Sequence, residues 1–355
     1  MARYNFTQGT FSGKGNVQIA YRGWAADKPK GVVVVVHGLG EHSGRYTHLT
    51  DALSGKKISI FALDNRGHGN SQGERGHIDS FLDFIFDLKI FINMVREAHP
   101  DLPIILLGHS MGGAIACRYA LTYQNDIKGL VLSAPGIILI NREPVIKRAF
   151  GKTLATLSPK TIISNGIDAQ TMISHDAEQV KLYKEDPLVH SHISLRLWTE
   201  MEKNGAYCME RAYDLRIPLL AIHGSDDPIV SLKGSEVVVD RALTDDKKLA
   251  VFPGLLHETM NESPRDRAKV LSLVASWIVS HINPRGGKDT VVKVRVARTA
   301  KPAKAEAPKK VKAPAKKASG KKSPAGKKTP VKKPSAKKPV SAKKTKAKKG
   351  GRSRA

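Results

Sequence analysis

The sequence predicts an α/β protein: a mostly parallel sheet with helices on both faces, an inserted helical cap and a disordered basic tail. Three observations lead there. Short apolar runs alternate with stretches of helical period across residues 5–282, the rhythm of strand–helix–strand units. A serine stands at the tip of a strand–turn–helix in Gly108-His109-Ser110-Met111-Gly112-Gly113. The charge is unevenly spread. Of the formal net +27, residues 285–355 hold 27 Lys/Arg and 2 Asp/Glu, which leaves 32 and 30 for residues 1–284. The front part therefore has the balance of an ordinary globular domain, and the tail carries the charge.

Residues 5–12 and 17–24 alternate and carry Phe, Val, Ile, Tyr and Trp, which reads as two antiparallel strands around Gly13–Gly15. Val32–Val36 is five β-branched residues in a row, a strand buried on both faces. It stops at His37-Gly38-Leu39-Gly40, followed by the polar loop Glu41-His42-Ser43-Gly44-Arg45-Tyr46. The His37 ring is expected to brace this loop rather than to move protons. Ile58–Leu63 is the next strand. It runs into Asp64–Ser71, a loop expected to lock itself through hydrogen bonds and an Asp–Arg pair as scaffold. Across 78–98, Phe81, Phe84, Ile85, Leu88, Phe91, Ile92 and Val95 have the spacing of one apolar helix face. Pro100 and Pro103 end it before the strand Ile104–Leu107.

The rest of the chain continues the pattern. Ala114–Tyr123 is helical and contains Cys117, expected in the core. Gly129–Pro135 is a strand. From about 136 to 213 the chain is apolar and helical without a strong buried strand, which predicts the cap. Apolar walls over a serine fit an apolar part of a substrate. The sheet resumes at Ile217–Gly224 and ends at Lys247–Phe252, and residues 264–282 form a closing helix. Two cysteines, Cys117 and Cys208, make no disulfide framework. The N-terminus has no apolar stretch of signal-peptide length. No run reaches the ~18 apolar residues of a membrane span. A soluble cytoplasmic protein is expected, with peripheral contact through the tail left open.

The pattern G-x-S-x-G between a buried strand and a helix is the nucleophile elbow of the α/β-hydrolase fold. Ser110 is the candidate nucleophile. Gly108 and Gly112 let strand and helix backbones close up. The N–H of Met111, opening the helix, and of Leu39, in the loop after a central strand, are the candidate oxyanion donors. A serine hydroxyl needs a base, and the imidazole needs a carboxylate to fix its tautomer. The chain order in this fold is Ser, acid, His. After the last strand come His257 and His281. His281 closes the terminal helix and is expected in solvent, so His257 is the base. Asp226 and Asp227 compete for the acid. Asp227, deeper in the turn and next to Pro228, is chosen, with Asp226 shaping the turn. The reaction class is acyl transfer to Ser110 from a carboxylic ester, with no cofactor and no metal.

His37-Gly38-Leu39-Gly40-Glu41-His42-Ser43-Gly44-Arg45-Tyr46, Asp64 with Arg66-Gly67-His68-Gly69 and Ser71, the elbow, Gly224-Ser225-Asp226-Asp227 and His257-Glu258 together resemble the monoacylglycerol lipase/lysophospholipase family of α/β-hydrolases. The resemblance covers residues 5–282. It implies hydrolysis of monoacylglycerol to glycerol and fatty acid, with lysophospholipase or general carboxylesterase activity as alternatives. It implies Asp227 as the acid, Glu41 and Arg45 near the glycerol end, and His109 facing the leaving group. Where some members carry a second histidine three residues after the catalytic one, this chain has Met260.

The tail, residues 285–355, is rich in Lys, Ala and Pro and lacks aromatic residues. Ala-Lys-Lys recurs at 315–317, 336–338, 342–344 and 347–349. It resembles the lysine-rich tails of H1-type histones and cannot bury enough surface to fold. Val291–Val296 alternates within it and is read as linker. Such a tail binds polyanions through counterion release, with DNA, RNA, polyphosphate and anionic membrane surfaces as candidate partners. A polyanion-binding protein with an incidental hydrolase body is thus the competing reading from another class. Oligomeric state is not legible.

Overall fold

The structure, a computed structural model, describes residues 4–140 and 154–283. The basic tail, the Val291–Val296 alternation within it and residues 141–153 of the expected cap lie outside the described residues. Eight strands form one sheet in the order β1-β2-β4-β3-β5-β6-β9-β10. They are β1 (Asn5–Ser12), β2 (Gln18–Ala25), β3 (Gly31–Val36), β4 (Ile58–Leu63), β5 (Ile104–His109), β6 (Gly129–Ser133), β9 (Leu219–Gly224) and β10 (Lys247–Phe252). β1 pairs antiparallel with β2, and β2 with β4; the other six run parallel. This is the α/β-hydrolase fold. Two further strands, β7 (Ile162–Ser164) and β8 (His192–Ser194), make a small antiparallel ribbon in the cap.

The period-2 alternation of strand side chains sorts the β-branched runs onto two cores. Val32, Val34, Val36, Leu106, Leu130 and Leu132 face one side, where α2 (Leu82–Ala98) and α3 (Met111–Tyr123) cover them. Val33, Val35, Ile58, Ile60, Leu107, Val131 and Ile222 face the other side, which packs against residues of α1 (Thr47–Leu53) and the closing helix. The five valines of β3 are fully buried. Each such side chain contributes roughly 1.5–3 kcal/mol. Strands buried on both faces and flanked by helices place their carboxyl ends, and the loops after them, on one rim.

Between β6 and β9 lie α4 (Ala169–Met172), α5 (Ala177–Glu185) and α6 (Leu195–Arg211); α7 (Leu232–Arg241) and α8 (Pro264–Ile282) follow. The expected cap extended to residue 213, but α6 sits in the body. Leu197, Met201 and Cys208 share the core of α3, and Asn204 Nδ2 donates to Ala114 O at 3.2 Å. Its apolar residues recur along one face, and that face is spent on α3. This also places Cys208, buried like Cys117.

Two local expectations take a different form. The loop after β4 does lock itself, yet Asp64 and Arg66 do not pair with each other. Asp64 accepts from Arg22 Nη1 (3.1 Å), Ser43 N (2.8 Å) and Asn70 N (2.8 Å), while Arg66 grips Asp87 through Nε (2.6 Å) and Nη2 (2.7 Å). His281 is not left to solvent: its ring stacks on Trp277 with centroids 3.9 Å apart, and Nε2 meets Asp246 at 2.8 Å. Among the described residues no helix is long and apolar enough to cross a membrane.

Candidate active site

β5 delivers Ser110 into a sharp turn. Its φ of 54° and ψ of −122° are strained for a non-glycine residue, a feature that clusters at functional sites. The turn is held from both sides: Ser110 N–H donates to Ser133 O at 3.0 Å, and Ser110 O accepts from Gly136 N at 2.7 Å. The flanking glycines are required by space. A Cβ on Gly108 would lie 2.3 Å from Gly112 O, and one on Gly112 would lie 2.1 Å from Val36 O. The Ser110 hydroxyl takes no hydrogen-bond partner among the described residues, and the residue is 8% exposed. Such bonds are often loose without substrate and tighten in the reacting complex.

The loops after β9 and β10 bring Asp227 and His257 together. His257 Nδ1 meets Asp227 Oδ2 at 2.7 Å, so Nδ1–H donates and Nε2 is the free nitrogen. Asp227 Oδ1 accepts from Ile229 N (2.8 Å) and Val230 N (3.1 Å), and His223 Nε2 approaches Oδ2 at 3.2 Å. Burial works against the Asp227 charge, but His257, the His223 contact and the backbone donors hold its carboxyl well below the usual range. Burial also disfavours the His257 imidazolium, yet Asp227 outweighs this and lifts its pKa above the ordinary histidine value. Asp226 instead accepts from Ser225 Oγ at 2.6 Å and is exposed, a turn-shaping position.

The loop after β3 packs against the elbow: a Cβ on Gly38 would stand 3.0 Å from Ser110 Cβ. His37 braces it as expected, with Nδ1–H donating to Gly38 O and Nε2 accepting from Asn65 N, both at 2.8 Å. Neither Leu39 N nor Met111 N has a protein acceptor among the described residues. An oxyanion hole requires backbone N–H groups left free in this way.

The remaining predicted residues are buried. The His109 ring lies 4.8 Å from that of His257, centroid to centroid, and Nδ1 is 3.2 Å from both Ser133 O and Ser133 Oγ. Burial, reinforced by His257, pushes its pKa down to about 4, so it is neutral at pH 7. Glu41 Oε1 accepts from Gly38 N (2.6 Å) and Tyr46 Oη (2.8 Å), and Oε2 accepts from Arg45 (2.8 Å). Arg45 also forks onto Glu258 at 2.7 and 2.8 Å. The polar atoms expected near a glycerol end are thus engaged with one another. Sequence reasoning assigned no role to Glu258; the available signal was an acidic residue directly after the candidate base.

A cavity of ≈ 10 Å³ lined by Glu41, Arg45, His109, Glu258 and Met260 adjoins these groups. A larger groove of ≈ 560 Å³ between α1 and α8 includes none of Ser110, Asp227 or His257 in its lining, so the chemistry is placed by the side-chain geometry and not by cavity size. Among the described residues, no group of three or more His, Cys, Asp or Glu could hold a metal ion.

Residues 27–264 match the family model described as serine aminopeptidase, S33. The chain is 38% identical over 275 residues to the monoacylglycerol lipase of Mycolicibacterium smegmatis, covering 77% of this chain and 97% of that protein. Among solved structures it resembles the monoacylglycerol lipase of Paleococcus ferrophilus, with a TM-score of 0.66 and 31% identity over 78% of this chain and 99% of that one. It also resembles a soluble variant of the monoglyceride lipase of Saccharomyces cerevisiae in complex with a substrate analogue. There the TM-score is 0.69 and identity 26% over 79% and 96% of the two chains.

Proposed function

The chain belongs to the serine aminopeptidase S33 family of hydrolases, and from that premise we propose that it is a monoacylglycerol lipase working through an acyl-enzyme on Ser110. Its relatives make it a serine ester hydrolase of lipid esters. The finer reading rests above all on the 2.7 Å bond between His257 Nδ1 and the buried Asp227, which leaves Nε2 as the free base on the rim that carries the serine elbow. His257 takes the Ser110 proton as the hydroxyl attacks the ester carbonyl. The N–H groups of Leu39 and Met111 hold the oxyanion. His257 then protonates the leaving glycerol, and water releases the fatty acid by the same steps in reverse roles. Each oxyanion donor is worth roughly 3 kcal/mol of barrier. Burial keeps His109 neutral beside His257, where it can donate or accept a hydrogen bond toward the leaving alcohol without adding charge.

A panel of monoacylglycerols, lysophospholipids and p-nitrophenyl esters tests this, with Ser110→Ala as control. The expected result is turnover with monoacylglycerol preferred, and a loss of roughly 10⁴-fold or more in the variant. Preferred cleavage of lysophospholipids would move the substrate; no turnover of any ester would end the reading.

The charge of the tail supports a second activity in the same chain: residues 285–355 bind a polyanion without sequence preference. Full-length protein and a chain ending at residue 284 are compared for DNA and anionic-vesicle binding at rising salt. Binding confined to the full-length chain and falling steeply with salt is expected; equal binding by both removes the tail's role.

A further inference from the structure

The loop after β3 and the loop after β10 meet at a buried ionic triad that the reaction as described leaves unused. Arg45 Nη1 donates to Glu258 Oε1 at 2.7 Å and to Glu41 Oε2 at 2.8 Å, while Nη2 donates to Glu258 Oε2 at 2.8 Å. The side chains of Arg45, Glu41 and Glu258 are only 9%, 5% and 6% exposed. Asn261 Nδ2 adds a bond to Glu258 Oε2 at 2.9 Å, and the Tyr183 ring of the cap covers the guanidinium at 4.7 Å. Burial opposes the Glu41 charge, yet Arg45, and then His109 and His37, hold its pKa down to about 2. Burial opposes the Glu258 charge as well, and Arg45 likewise keeps that carboxyl below its ordinary value. Two carboxylates therefore face one guanidinium.

A buried ionic cluster of this kind is a poor source of stability, because desolvating its members consumes most of the Coulombic gain. Its placement gives it a different use. Glu258 directly follows the base His257. Glu41 fixes the N–H of Gly38, the residue before the oxyanion donor Leu39, at 2.6 Å. One guanidinium thus joins the loop that carries the base to the loop that carries the oxyanion donor, across 213 residues of sequence. We propose that Arg45 and Glu258 are positioning residues for ester hydrolysis. They hold His257 and Leu39 N–H in a single frame, and the unbalanced negative charge of the triad favours the imidazolium that forms on His257. This rests on the assignment of His257 as base. The charged and titratable groups facing His257 are Asp227 from the turn after β9, His109 from the end of β5, Glu41 and Arg45 from the loop after β3, and its neighbour Glu258.

The test is hydrolysis of a p-nitrophenyl ester by the full-length chain across pH, with thermal unfolding as the check on folding. Glu258→Gln removes a negative charge and one arm of the fork. Its kcat is expected to fall about tenfold or more with KM within about threefold, and the acid limb of the kcat profile to move to lower pH. Arg45→Met leaves two carboxylates unneutralised, so its limb moves to higher pH as kcat falls. Arg45→Lys keeps the charge and loses the fork; its limb stays in place while kcat falls. A structural role alone would not produce opposite shifts. Should Arg45→Met not fold, Arg45→Met/Glu258→Met, which preserves the net charge of the cluster, decides instead. A tenfold fall with an unmoved limb upholds the proposal. Values of kcat within about twofold of wild type in the folded variants, or limbs that move in the same direction for Glu258→Gln and Arg45→Met, overturn it. Failure of the wild type to cleave any ester would instead strike the function itself, before any variant is compared.

Discussion

The sheet body and the cap elements between β6 and α6 are held by different forces. In the body, every valine of β3 and the runs of β5 and β6 are buried on two faces by helices. Among the described residues of the cap, the apolar cluster of its own is small: Ala169, Ile173 and Val180, with Ile167, Tyr183 and Ile229 against it. Leu157 is 78% exposed and Leu182 55%. The seam between the two is largely polar, apart from Ile193 of β8, which joins the core of the body, and Ile229, on which the cap cluster rests. His190 N donates to Gly40 O at 2.8 Å, Ser194 N to Gly76 O at 2.8 Å, and His42 Nε2 pairs with Asp186 at 2.8 Å. Asn165 Nδ2 and His68 Nε2 are buried at or near the seam without a protein partner among the described residues. Burial over-determines the body, whereas hydrogen bonds worth about 1 kcal/mol each tether the cap. Elements with few buried apolar contacts open at low cost while the body stays intact. Two of these tethers, at Gly40 and His42, land on the loop that carries Leu39, so cap movement reaches the site.

If the body sets the chemistry, its turns should carry the largest effects. Asp227→Asn leaves His257 without the acceptor that fixes its tautomer, and kcat is expected to drop by roughly 10⁴. Asp226→Asn, on the exposed side of the same turn, should stay within a few-fold. The pH dependence has a definite sign. The base must be neutral, and Asp227 raises its pKa, so the acid limb of kcat/KM in the wild type lies above the ordinary histidine value. In Asp227→Asn any residual activity should show that limb moved to lower pH. A limb that stays in place would separate Asp227 from the base and weaken the contrast with the cap.

Stability sharpens the same contrast. Leu107 is fully buried in β5, and Leu107→Ala should cost about 2–5 kcal/mol in urea unfolding. Leu182→Ala, on the exposed side of α5, should change stability by no more than about 0.5 kcal/mol. Comparable losses at the two positions would show a cap packed like the body.

That division also explains what could be read in advance. The strands were legible for two reasons: β3 is apolar on both faces, and β1 and β2 carry the aromatic and β-branched residues typical of strands. The elbow was legible because Gly108 and Gly112 have no room for a Cβ. Asp227 could be preferred over Asp226 from its depth in the turn and its place next to Pro228. Polar partners distant in sequence were not legible, since a charge in a sequence does not reveal which distant charge it meets. Arg66 found Asp87 and left Asp64 to Arg22; Arg45 found Glu258. The helix α6 carries an apolar stripe that a lid or a body helix could equally use. Only its packing on α3 separates the two.

The smallest expected effect is at a tether. Asp186→Asn removes the charge that His42 meets across the seam, with Asp186 about a quarter exposed. Partly exposed pairs contribute about 0–1 kcal/mol, so the unfolding midpoint should barely move. The reaction should respond more than the fold, because His42 also caps the turn at Ser43 and Gly44, beside Glu41 and Arg45. A two- to fivefold fall in kcat/KM, an order-of-magnitude figure for roughly 0.4–1 kcal/mol, is expected for a long-chain monoacylglycerol. A short p-nitrophenyl ester, with little acyl chain for the cap to cover, should respond less. Matched losses on both esters would place the effect at the loop itself. A fall in stability without a fall in activity would make the tether part of the body's own framework, and the line between the two regions would have to be redrawn at α5.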